Sequence, residues 1–183
     1  VTIIGDVPKG TAIMRSGAQV GDIVGITNYV GYAATGLGAL SYNLDGYHMT
    51  KVGHQRPDPQ IELGQQLRQL GIHSMNDISD GLGSELNEIA SASNVSIVIE
   101  EKAIPLHEET YELAKYLQTN PVDYALYGGE DFQLVFTAPK SLLSKLENLA
   151  GITIIGEVVS GPAQVQMVTP DKTIKTIEAK GYN

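Results

Sequence analysis

Asp77 and Asp80 stand three residues apart, with the Ser79 hydroxyl between them, in the run Asn76-Asp77-Ile78-Ser79-Asp80-Gly81-Leu82. The hydrophobic pattern places this run where a short strand, Met75–Ile78, meets an amphipathic helix, Gly81–Ser93. A helix N-terminus presents free backbone N–H groups and a partial positive charge, which favour a phosphate. Carboxylates at the same place favour a hard cation such as magnesium, which prefers oxygen ligands. Together they could hold a magnesium–nucleotide complex. The same residues also read as a helix cap, because Asp and Ser commonly cap helices and Asp-Gly commonly turns. A cap, however, needs only one carboxylate.

A second run is Tyr127-Gly128-Gly129-Glu130-Asp131-Phe132. The Gly pair permits positive φ and close approach of a ligand to the backbone. Glu130 and Asp131 then stand at the entrance of a strand, Gln133–Phe136, either as ligand contacts or as solvated acids of a tight turn. A third run, Arg15-Ser16-Gly17-Ala18, sets a lone Arg in a Gly-rich segment. A guanidinium can clamp phosphate oxygens bidentately; the same Arg also reads as an ordinary surface residue. Near the end, Gly181-Tyr182 offers an aromatic that could stack on a flat ring or simply cover core. No Gly-Lys-Ser/Thr phosphate loop and no Gly-x-Ser-x-Gly elbow occurs. The spacing singles out no catalytic acid, base or nucleophile.

These runs need elements to hold them. Strands are expected over Val1–Ile4, Ile23–Thr27, Met75–Ile78, Val95–Ile99 and Gln133–Phe136. Closing strands are expected over Ile152–Val159, Val165–Val168 and Thr173–Ile177, paired as a meander. Helices are expected over Ala33–Tyr42, Gln60–Leu70 (opened by Pro59, stopped by Gly71), Gly81–Ser93 and Glu108–Leu117. A further helix over Ser141–Ala150 would take Ser141 as its N-cap. Gly36 and Gly38 weaken the first helix but would let another backbone come close. The predicted fold is α/β (α+β), a mixed β-sheet flanked by helices. It reads as a single domain over 1–183, with Arg56-Pro57-Asp58-Pro59 as its weakest seam.

Composition narrows the function. The chain has 183 residues, 42% of them hydrophobic and 18% charged, which suits an ordinary globular core. Mean hydropathy is −0.05 and no long apolar run occurs, so a transmembrane helix is not expected. Twelve basic residues against 21 acidic give a net charge of −9. The scattered Lys and three Arg make no basic face for a nucleic acid. An acidic protein that handles phosphates must recruit cations at its site. With no Cys, disulfides, thiolate metal sites and a Cys nucleophile are out, and a reducing cytoplasm fits. The four His lack metal-ligand spacing. The chain starts without Met, and is expected to be a fragment or a processed product.

Taken in order, Arg-Ser-Gly-Ala followed by Gly-Asp, Asp-Ile-Ser-Asp-Gly-Leu, Gly-Gly-Glu-Asp-Phe and a Gly-Tyr close resemble the thiamine-monophosphate kinase family. The wider resemblance is to the superfamily of aminoimidazole ribonucleotide synthetase, selenophosphate synthetase and a hydrogenase maturation factor. It covers essentially the whole chain, but as the C-terminal domain of a two-domain architecture. The resemblance implies a magnesium-binding N-terminal domain that is absent here, and a homodimer for the full-length protein. It implies ATP-dependent phosphorylation of thiamine monophosphate to thiamine diphosphate in the cytoplasm, with Mg2+ as cofactor. Neither nucleic acid nor membrane enters as a partner. Asp77 and Asp80 would be magnesium ligands, Ser79 and Arg15 ATP contacts, and Glu130 and Tyr182 contacts to the thiamine substrate. Phe132 stands where Tyr is commoner in the family, which argues against a required hydroxyl. The fragment alone would be folded but inactive. The competing readings are a non-catalytic ATP-binding module and another synthetase of the superfamily that activates a different small molecule.

Overall fold

The structure is a computed structural model and describes Thr2 and residues 4–180. Among the described residues seven strands form one sheet: β1 (Asp22–Thr27), β2 (Ser74–Ile78), β3 (Ser96–Glu100), β4 (Gln133–Pro139), β5 (Ile152–Val159), β6 (Gln164–Val168) and β7 (Ile174–Ile177). The order across the sheet is β2-β4-β1-β5-β3-β6-β7. Neighbours are antiparallel except β3 and β6, which run parallel. Seven α-helices of the described residues accompany it: α1 (Tyr32–Ser41), α2 (His48–Gln55), α3 (Ile61–Leu70), α4 (Leu82–Ser93), α5 (Glu108–Leu117), α6 (Pro121–Tyr127) and α7 (Leu143–Glu147).

β1 is buried along its whole length, because both faces of the sheet are covered there. On one face Val24, Ile26, Ile78 and Val135 pack with Leu82, Leu86 and Ile89 of α4. The expected apolar stripe of that helix is therefore the one that meets the sheet. On the other face Ile23, Phe136 and Ala138 pack with Leu67 of α3 and Leu146 of α7. Gly25 lies under the Phe136 ring: a Cβ there would come within 2.4 Å of it.

Glycine also sets the α1–α2 contact. A Cβ on Gly36 would stand 2.1 Å from the Thr50 carbonyl oxygen, so the two helices approach as closely as the small residues of α1 suggested. Gly71 closes α3 with φ 79, as its position predicts.

Several expectations are corrected. The last strands are not a meander, because β3 inserts between β5 and β6 and only β6 and β7 form a hairpin. A three-residue 3-10 turn over Lys140–Leu142 replaces the start of the expected last helix, α7 is short, and Ser141 does not cap it. Thr2 and Ile4 lie in no strand; Val1 and Ile3 fall outside the described residues. Strands on both sides of the 56–59 loop share the sheet, in keeping with the single-domain reading: β1, which precedes it, pairs with β4 and β5, which follow it. Two helices were not anticipated. The first turn of α2 is held by Glu109 of α5, which accepts from Thr50 N at 2.8 Å and from Met49 N at 3.3 Å. The Asn120 side chain accepts from Val122 N, and Pro121 opens α6.

Candidate functional site

β2 lies at the edge of the sheet and ends at Ile78; Ser79 and Asp80 then turn the chain into α4. The corner is tight. Gly81 has φ 95, and a Cβ on it would meet the Leu126 carbonyl oxygen at 2.7 Å. Only glycine takes this conformation and this contact without strain. Gly81 is the N-cap of α4, with no side-chain cap bond. The capping reading of Asp80 and Ser79 therefore falls: neither side chain serves the N-terminus of the helix, and both Asp77 and Asp80 are exposed to solvent.

The Gly128–Phe132 segment runs alongside this corner. Glu130 N donates to Ser79 O at 2.8 Å, and Phe132 N donates to Ile78 O at 2.9 Å. These bonds extend the β2–β4 ladder, in which Ile78 faces Gln133. Two motifs about fifty residues apart are thus locked together by backbone. Glu130 has φ 67 and Phe132 φ 49, a left-handed conformation uncommon for such residues and often found at functional loops. Glu130 is exposed, as are Asp77 and Asp80, so three exposed carboxylate-bearing positions belong to one end of the β2–β4 pair. Asp77 and Phe132 also line an apolar cavity of about 720 Å³, walled by Val7, Ile13, Pro59 and Ile61.

Asp131 differs from its neighbour. It is 5% exposed and accepts from Gly31 N at 2.6 Å and from Ala33 N at 2.9 Å, at the N-terminus of α1. Burial pushes its carboxyl up to about 7, against the opposing pull of the Ala33, Gly31 and Tyr32 backbone N–H groups. Of the two adjacent acids, then, Asp131 closes a helix and only Glu130 is a solvated acid.

Arg15 is brought to the same corner, and its guanidinium is partly engaged. Its Nε donates to Asn76 Oδ1 at 3.1 Å and its Nη1 pairs with Glu88 at 2.9 Å. The half-exposed guanidinium keeps further N–H donors for a ligand. Asn76 also donates to Glu85, and Glu85 accepts from Ser79 Oγ at 3.3 Å and Asp80 N at 3.2 Å. Burial, together with Glu88 and Asp77 nearby, raises the Glu85 carboxyl above the ordinary range; the Asp80 and Ser79 donors oppose this. Sequence reasoning missed Glu85 and Glu88. The signal for Glu85 was an acid beside the apolar stripe of α4. Tyr182 lies outside the described residues. The segment leading towards it places Lys180 Nζ 5.4 Å from the Tyr127 ring centre, next to Gly128.

Among the described residues, no three His, Cys, Asp or Glu side chains gather to hold a metal ion. Asp77 and Asp80 supply two carboxylates at an exposed corner. That fits magnesium, which commonly takes one or two protein carboxylates and fills its octahedron with phosphate oxygens and water.

The fold and this corner define the class. Residues 19–168 match the family described as AIR synthase related protein, C-terminal domain, and the chain belongs to that family. The thiamine-monophosphate kinase of Bacillus subtilis (strain 168) is 36% identical over 194 residues, covering 100% of this chain and 58% of the relative. That of Escherichia coli (strain K12) is 33% identical, covering 99% of this chain and 58% of the relative. The chain thus spans little more than half the length of these relatives. Among solved structures, AaThiL complexed with AMPPCP and TMP superposes with a TM-score of 0.80 at 32% identity, over 93% of this chain and 53% of that one. The E. coli hydrogenase maturation protein HypE, at 18% identity and a TM-score of 0.79, shares the fold. Among the described residues no helix is long and apolar enough to cross a membrane.

Proposed function

We propose that this chain is the C-terminal half of a cytoplasmic, homodimeric kinase that transfers the γ-phosphoryl group of ATP to thiamine monophosphate, giving thiamine diphosphate. The observation that carries this reading is the junction of the two motifs. Asp77, Ser79 and Asp80 are held beside Glu130 by two backbone hydrogen bonds, and none of the three acids is spent on a cap. Kinship with thiamine-monophosphate kinases, one of them solved with AMPPCP and TMP, supports the choice of substrates.

The chemistry is phosphoryl transfer onto a phosphate. The acceptor oxygen is already anionic, so positioning and charge neutralisation matter more than a strong base. Magnesium, when bound, offsets the repulsion between the two phosphate groups. Asp77 and Asp80 would hold it from this side, together with acids of an upstream domain. Ser79 and the free N–H donors of Arg15 face the nucleotide. Glu130 balances the cationic thiazolium, and Tyr182 stacks near its ring.

The test is product formation by the complete protein. With magnesium and ATP it should yield thiamine diphosphate from thiamine monophosphate. ADP release with an aminoimidazole precursor or selenide, and none with thiamine monophosphate, would assign it to another synthetase of the superfamily.

A further inference from the structure

Glu85 is 3% exposed, within the first turn of α4 and next to the fully buried Leu86. An ionisable carboxylate in such a place is costly unless it is well bonded. Its bonds go to the motif itself. One oxygen accepts from Ser79 Oγ and Asp80 N, and the other accepts from Asn76 Nδ2. Asn76 is itself 7% exposed and receives Arg15 Nε on its carbonyl oxygen. One buried carboxylate therefore joins the corner that bears Ser79 and Asp80 to the segment that bears Arg15, across sixty residues of sequence.

The bond to Ser79 has a chemical consequence. A hydroxyl has a single proton to donate. With that proton committed inward to Glu85, the Ser79 oxygen turns its lone pairs outward and can meet a cation. The Asp80 N–H is likewise held inward, which fixes the direction of the Asp80 backbone.

We propose that Glu85 is the positioning residue of the nucleotide side of the site, setting Ser79, Asp80 and, through Asn76, Arg15 in their binding orientation. This rests on the kinase reading above. Glu85 does not touch substrate, and it acts through the residues that do.

The experiment compares Glu85→Ala, Glu85→Gln and Leu86→Ala in the complete protein, by steady-state kinetics in each substrate and by melting temperature. Wild-type turnover of thiamine monophosphate comes first. If it is absent the kinase reading fails, and Glu85 is then tested by calorimetric binding of magnesium with a non-hydrolysable ATP analogue. Glu85→Ala should raise the half-saturating magnesium–ATP concentration about 10-fold or more, as loss of an outer support commonly does. Half-saturation by thiamine monophosphate should move by less than about twofold. Glu85→Gln keeps one acceptor oxygen and should recover most of this loss, leaving a shift of about threefold. Leu86→Ala should melt at least as early, yet keep wild-type kinetics per folded molecule. Should Glu85→Ala fail to fold, Glu85→Gln carries the test alone. Wild-type magnesium–ATP saturation in the Glu85 variants would overturn the proposal. So would a shift that Leu86→Ala reproduces per folded molecule, because Glu85 would then be a stability residue only.

Discussion

The N-termini of α1 and α4 both lie beside the Gly128–Phe132 segment, and they are finished in opposite ways. At α1, Asp131 reaches in from a hundred residues away and takes up the free N–H groups of Gly31 and Ala33. That carboxylate is buried, and no anion can use the same donors. At α4, the cap is Gly81, which has no side chain to offer, and Asp77 and Asp80 stay in solvent. The same residue type is structural at one helix and chemically free at the other. Within Glu130-Asp131 the division falls between adjacent residues: the left-handed backbone at Glu130 turns one acid outward while the next goes in. An acidic motif at a helix start therefore has to be judged by where its carboxylates point, which spacing alone does not give.

The comparison can be broken most forcefully at α1. Asp131→Ala leaves buried N–H groups of the first turn without an acceptor, at a cost of about 2 kcal/mol, the upper range for loss of a cap. The folded-to-unfolded ratio should drop roughly 30-fold, read by urea denaturation of the complete protein. Activity per folded molecule should change little. An Asp131→Ala protein as stable as wild type would mean that α1 does not depend on this carboxylate.

At Glu130 the expectation reverses. Glu130→Gln should leave the melting temperature in place, because the side chain is exposed. It should raise the half-saturating concentration of thiamine monophosphate about tenfold, with a smaller effect on ATP. A shift confined to ATP would move Glu130 to the nucleotide side.

The last way to sharpen the comparison is the pH dependence of stability. Burial raises the Asp131 carboxyl from the 3.8 of the free residue to about 7 in the folded protein. The folded state therefore binds this proton more tightly than the unfolded state. The resulting stabilisation is complete below about pH 4 and is lost as pH rises through about 7. Asp131→Asn, which cannot titrate, should flatten the fall in melting temperature across that window. Parallel wild-type and variant curves would show that Asp131 is ionised alike in both states.

How much of this was legible in the sequence follows the range of the interactions. The α4 stripe, the stop at Gly71 and the strands around Ile26 and Ile97 rest on local periodicity and punctuation, and they appear where expected. The close α1–α2 approach was foreshadowed by Gly36. The Asp131 cap and the Glu109 cap of α2 were not legible, because donor and acceptor lie about 60 to 100 residues apart and neither end has a local signature. The closing strands were misjudged as a meander for a similar reason: β3, far upstream, takes the place between β5 and β6. At the candidate site, the residue types of both motifs were plain. Their junction through Ser79 O and Ile78 O was not, since it is made of backbone.

The central claim is that Asp77 and Asp80 are free for chemistry while Asp131 is spent on the fold. Thiamine diphosphate formation per folded molecule, in the complete protein carrying Asp77→Asn together with Asp80→Asn, tests it most directly. Both side chains are exposed and uncapping, so the melting temperature should stay at the wild-type value. Product formation under saturating magnesium and ATP should fall by at least about 100-fold, the scale expected when groups that stabilise transferring charge are removed. A double variant that forms thiamine diphosphate at the wild-type rate would contradict the account.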